Sequence, residues 1–211
     1  MLFLGYDPGG KSTHGVAALE ISETGEIVKP PVCSVLQDAK AVLEWMDIHG
    51  NVAALGIDTL MAWSPTGSRE CDDRLRKKYP KQASSIIPQN SLYSSMTLNG
   101  AMVAQHASKL RIPIYESHPK LLMKTLSTSN AASQSIQNWY SQMLQSADGS
   151  KRSAKQHDDM ADAIVAAWCA AQGLLKLWDV DLFQLPNNNS VPIVPSASYP
   201  WFEALEPNKL D

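Results

Sequence analysis

Gly5-Tyr-Asp-Pro-Gly-Gly-Lys-Ser12 (GYDPGGKS, residues 5–12) fits the phosphate-loop pattern G-x-x-x-x-G-K-[ST] and follows a short apolar run, Met1–Leu4. Two folds compete for it. A P-loop requires a helix that opens at Lys11-Ser12, with its first N–H groups aimed at phosphate. The following residues argue against that helix: His14-Gly15 is a poor first turn, and Thr24-Gly25 between two apolar stretches signals a hairpin. The better expectation is three strands, over residues 2–7, 14–22 and 26–35. On that reading the residue that matters in the loop is Asp7, which closes the first strand.

Moving outward, residues 36–49 carry Val42, Leu43, Trp45 and Met46 at helical spacing before Gly50, a natural stop. Val52–Ile57 is an apolar run that ends in Asp58 and reads as a buried parallel strand. Residues 64–91, rich in Pro, Ser and charge, read as an excursion off the sheet. A helix is expected over 92–110, a fifth strand over 112–116, two helical pieces over 119–147, and a long Ala-rich helix over 158–178. Trp139, Tyr140, Met143 and Leu144 share one helical face, and the aromatic residues Trp139, Tyr140 and Trp168 read as core. The domain is therefore expected to occupy residues 1–178, with a Pro- and Asn-rich tail over 179–211. Five prolines (186, 192, 195, 200, 207) exclude a continuous helix there, and Phe183, Tyr199, Trp201 and Phe202 imply that it docks.

Composition narrows the class. With 211 residues, 44% of them hydrophobic and 18% charged, the chain suits one globular domain. No apolar run reaches the roughly 18 residues that span a bilayer, and no signal-peptide pattern opens the chain. Cys33, Cys71 and Cys169 are isolated and odd in number, so neither a disulfide framework nor a zinc site is expected, and the setting implied is reducing and cytoplasmic. A net charge of −3 gives no general attraction for nucleic acid, which would have to be met by a local basic patch.

Acidic residues stand where strands or helices end. Asp7 and Asp58 close what should be neighbouring parallel strands, at the carboxyl edge where α/β sheets bind ligands. Asp158, Asp159 and Asp162 fall in the expected first turns of the last helix, and the i, i+3 and i, i+4 spacings put Asp162 on a face with either neighbour. Crowded carboxylates repel unless cations bind among them. An all-oxygen donor set selects Mg²⁺ or Mn²⁺, and two such ions could activate water and stabilise the leaving oxygen of a phosphodiester.

Asp7-Pro-Gly-Gly, the three-strand meander, Gly56-Ile-Asp58 and His157-Asp-Asp-Met-Ala-Asp-Ala163, in that order, resemble the ribonuclease H-like superfamily, in particular RuvC-type resolvases and DUF429-type predicted nucleases. Arg69-x-Cys-Asp-x-x-Leu-Arg76 and Glu116-Ser-His-Pro119 are also similar to DUF429 sequences. The resemblance covers roughly residues 1–176. It implies an α/β fold in which the antiparallel meander joins parallel strands four and five and helices flank the sheet. It further implies metal-dependent phosphodiester hydrolysis of nucleic acid, with Asp7 bridging two ions and Asp58, Asp159 and Asp162 completing their shells. RuvC-type proteins usually carry Glu where this chain has Asp58, one methylene shorter. They act as dimers, which leaves a homodimer open here.

Lesser candidates are Asp158, His157, Glu116, Arg69 and Lys11. Asp158 and Asp159 have a plainer reading as acids that complement a helix N-terminus. His157 reads foremost as a capping-region residue, and Glu116 either reaches the site or pairs with a Lys. Arg69, Arg74, Arg76, Lys77, Lys78 and Lys81, set against Glu70, Asp72 and Asp73, read first as a solvated helix face and second as phosphate contacts. Three rival functions stay open: an actin-like ATPase, a true P-loop enzyme, and a non-catalytic binding domain.

Overall fold

The structure, a computed structural model, describes residues 1–10, 12–65, 67–82, 94–127 and 134–205. Three strands, β1 (Leu2–Asp7), β2 (His14–Glu20) and β3 (Val32–Leu36), form an antiparallel meander. Helix α1 (Ala39–Asp47) leads to β4 (Val52–Ile57), which pairs in parallel with β1. After the short β5 (Ala62–Trp63) come α2 (Glu70–Lys78), α3 (Ser94–Lys109) and β6 (Ile114–Glu116), parallel to β4. Helices α4 (Pro119–Leu126), α5 (Gln134–Gln145) and α6 (Lys151–Leu174) follow, then β7 (Val180–Asp181), β8 (Val191–Pro192), β9 (Ala197–Ser198) and β10 (Pro200–Trp201). The main sheet runs β3-β2-β1-β4-β6-β9. An antiparallel meander continued by parallel strands and flanked by helices is the ribonuclease H-like arrangement.

No helix opens at the end of GYDPGGKS. Residues 14–20 are a strand in register with β1, Asp7 opposite Gly15, so the phosphate-loop match is accidental. Lys11 itself lies outside the described residues. Elsewhere the expected bounds shift for local reasons. β3 starts at Val32 rather than 26, because Pro30 and Pro31 have no N–H to give a ladder. α1 starts at Ala39, where the Asp38 side chain accepts from Ala41 N–H at 2.9 Å. α6 begins at Lys151, seven residues before the expected start, capped by Ser150, whose hydroxyl accepts from Ser153 N–H. Asp158 and Asp159 are therefore about two turns, and Asp162 about three turns, inside the helix, and complementing its N-terminal dipole does not explain them.

Two regions differ in kind. Of the excursion, residues 66 and 83–91 lie outside the described residues, and in the rest Arg69, Asp72 and Arg74 at the start of α2 are buried. In the described part of the tail, residues 179–205, Phe183, Tyr199 and Trp201 are buried, and Ala197–Ser198 form β9, paired in parallel with the outer edge of β6. Of the aromatic face of α5, Trp139, Tyr140 and Met143 pack on the core, while Leu144 is exposed.

What sets the site is how α6 lies on the sheet. A Cβ at Gly5 would overlap the Ala163 carbonyl, one at Gly56 the Ala166 carbonyl, and one at Gly15 the Asp159 carbonyl. Three adjacent strands thus present bare backbone to the helix backbone, an approach only glycine permits. Side chains two apart on a strand share a face, so the Gly-x-Asp spacing of Gly5 and Asp7 turns Asp7 toward α6. Gly56-Ile57-Asp58 repeats that spacing on β4.

Candidate active site

Asp7 ends β1, and Asp58 follows directly on β4, its N–H donating to Tyr6 O at 2.9 Å. Beside them β6 ends at Glu116, and the next residues, Ser117-His118, lead into α4. Ser117 N–H donates to Ile57 O, so all three parallel strands terminate together. From above, α6 brings Asp159 and Asp162, both buried. Asp7, Asp58 and Asp162 line one cavity of about 130 Å³, together with His118, Lys120 and Lys155.

The electrostatics of this cluster are unfavourable as it stands. Burial, then Asp58, Asp162 and Asp159, push the Asp7 carboxyl well above the ordinary range. Burial and Asp58 do the same to Asp162, and burial raises Asp159 against the opposing pull of Lys155. Asp58 is raised to about 6 by burial, although His118 and Lys120 oppose the rise. Asp159 Oδ2 and Asp162 Oδ1 are buried with no hydrogen-bond partner among the described residues. Two lysines neutralise part of the charge: Lys120 Nζ lies 2.8 Å from Asp158 and 3.3 Å from Asp162, and Lys155 pairs with Asp159.

The carboxylates of this cluster are the hard oxygen donors a divalent cation takes, and two of their buried oxygens lack partners among the described residues, although His118, Lys120 and Lys155 share the cavity. Among the described residues, however, no three such side chains already stand at metal-binding spacing. The acids share a cavity without converging on a point.

The remaining candidates are placed as follows. Asp158 is partly exposed and turned to Lys120, whereas Asp159 faces the sheet. The His157 ring bonds back to its own helix, Nδ1–H donating to Ser153 O at 2.8 Å. Glu116 pairs with Arg69 rather than with a lysine. The fully buried guanidinium makes paired bonds to Asp72 (2.9 and 2.8 Å) and to Glu116 (2.8 and 2.6 Å). Arg69 is therefore neither on a solvated face nor available to phosphate. Nor is Arg74, which is buried against Glu70 and the Pro186 carbonyl. Burial would raise Glu116, but Arg69 and His118 outweigh it and hold it down at about 2.

His118 extends this network to the cavity, with Nε2 3.3 Å from Glu116 Oε1 and Nδ1 3.9 Å from Asp58 Oδ1. Its position follows from Pro119. A residue before proline is held extended, and His118 (φ −126°, ψ 80°) turns the chain from β6 into α4 without using its ring as a cap. His118 falls within Glu116-Ser-His-Pro119, where nothing in the sequence distinguishes it from its neighbours. Lys120 and its pairing with Asp162 were missed, since nothing local links two residues that far apart.

No family model matches the chain, and no curated protein matches it. Among solved structures, a Thermus thermophilus RuvC structure is similar at 17% identity, with 82% of this chain and 98% of that chain covered and a TM-score of 0.46. The fold assignment rests on strand order rather than on this likeness.

Proposed function

We propose that the chain is a divalent-metal-dependent phosphodiester hydrolase acting on nucleic acid, related in kind to RuvC-type and DUF429-type nucleases. The supporting observation is the cavity at the carboxyl edge of the sheet, where Asp7, Asp58 and Asp162 meet and destabilise one another's charge. Asp7, Asp58, Asp159 and Asp162 would hold Mg²⁺ or Mn²⁺, drawing together around it. Bound there, the ions would supply an activated water and stabilise charge on the leaving oxygen. His118 would act on Asp58 electrostatically across 3.9 Å, and Lys120 and Lys155 line the same cavity, where a phosphate would arrive.

A second reading, a non-catalytic domain of the same fold, is favoured by one observation: the described acids are partly neutralised by lysines and no ligand group is pre-assembled. The test is cleavage of labelled single-stranded, duplex and branched DNA and of RNA with Mg²⁺ or Mn²⁺. Asp7→Asn should abolish it, and Lys11→Ala should leave most of it. Essential Lys11 with ATP hydrolysis would restore the P-loop reading. No cleavage of any substrate by the wild type would favour the binding domain.

A further inference from the structure

A second concavity, of about 450 Å³, opens between α4 and α5 and shares Lys120 with the acidic cavity. Its walls are Lys120, Met123 and Lys124 from α4, with Gln137, Tyr140 and Ser141 from α5. The chemistry differs sharply from that next door. Its described lining has two lysines and no acid, whereas the neighbouring cavity is lined by three aspartates. Lys124 therefore offers this pocket a cation to draw an anionic group, while Lys120, paired with Asp158 and Asp162, lies at the seam of the two cavities. Tyr140 is half-buried and lies close enough to Asp162 and Asp158 that their charge, after burial, raises its phenol. The ring thus stands beside the acidic site, and its faces are apolar enough to stack a base.

We infer that this pocket holds one unpaired nucleotide next to the acidic cavity, its base stacked on Tyr140 and its phosphate met by Lys124. The volume lies within the 300–1,000 Å³ of small-molecule sites. Gln137 offers both a donor and an acceptor to a base edge. A base paired in a duplex is stacked on both faces and cannot enter a pocket walled by two helices, so substrates must present a single-stranded or unstacked position there. This inference rests on the nucleic-acid reading of the site but not on the metal chemistry.

The test is anisotropy of a short fluorescein-labelled oligodeoxythymidylate against a blunt duplex of equal length, both at one ionic strength in EDTA so that nothing is cleaved. The single strand should bind at least about tenfold tighter. Tyr140→Ala should weaken it by about 5- to 100-fold, while Tyr140→Phe, which keeps the stacking face, should stay within about twofold. Lys124→Ala, an exposed change that leaves packing alone, should weaken binding and reduce the slope of log K against log salt by about 0.7. Equal affinity for duplex and single strand, no measurable binding, or a Tyr140→Ala variant that binds like wild type would each overturn the inference. If Tyr140-dependent binding holds but no metal-dependent cleavage is found, the subsite stands and the hydrolase reading falls. If wild type and Tyr140→Ala cleave and bind alike, the reverse is true.

Discussion

Asp58→Asn should make the metal-free protein more stable, in the same step that disables the proposed chemistry. The Asp58 carboxyl is raised from its ordinary 3.8 to about 6. Between those values the folded state binds more protons than the unfolded one, so stability falls as pH rises through about 4 to 6 and levels off above. A rise of that size corresponds to about 3 kcal/mol of unfavourable ionisation at pH 8. That figure is an upper bound, because Asn also loses the electrostatic attraction of His118, 3.9 Å away. For a chain of this length about 3 kcal/mol is worth roughly 6–12 °C in melting temperature. Thermal melts in EDTA from pH 4 to pH 8 would show the variant gaining over wild type as pH rises and matching it near pH 4. Added Mn²⁺ should then stabilise wild type and do little for the variant. A variant that melts lower at pH 8, or that gains equally at pH 4 and pH 8, would refute the charge-repulsion argument.

Gly56→Ala should prevent folding or sharply lower the yield of folded protein, checked by circular dichroism, because the added methyl overlaps the Ala166 carbonyl and neither backbone can move alone. Arg69→Met should cost about 3–5 kcal/mol in urea unfolding, since it strands Glu116 and Asp72 as buried uncompensated charges. Arg69→Lys should rescue little, because one ammonium cannot replace two bidentate forks. Trp168→Phe should cost about 1–3 kcal/mol by the same assay, because the indole N–H donates at 3.0 Å to the buried turn carbonyl of Gly25.

Legibility in the sequence followed the range of the interaction. β1, β2 and β4, the aspartates that close β1 and β4, and the presence of Gly5, Gly15 and Gly56 were readable because all are local features of the sequence. The reason for those glycines was not, since it lies in the carbonyls of Asp159, Ala163 and Ala166 on a distant helix. The first two turns of α6 were overlooked because Lys151–His157 carry no apolar stripe; only Ser150 hinted at the start. The charged run at 69–78 misled for a related reason. Charge normally means solvent, and the partner that reverses this, Glu116, is 47 residues along the chain. β9 offered two residues and no pattern at all.

That last strand bears on how the molecule comes to be folded. During synthesis, β6 can join β4 as soon as residues 114–116 emerge, but its outer edge stays open until residues 197–198 arrive. In the interval a nascent chain offers unpaired N–H and C=O groups to any neighbour, the usual route to edge-to-edge misassembly. β6 is only three residues long, which gives a passing strand little to hold. The shortness of that strand, unremarkable in the finished sheet, is then a safeguard for the unfinished one.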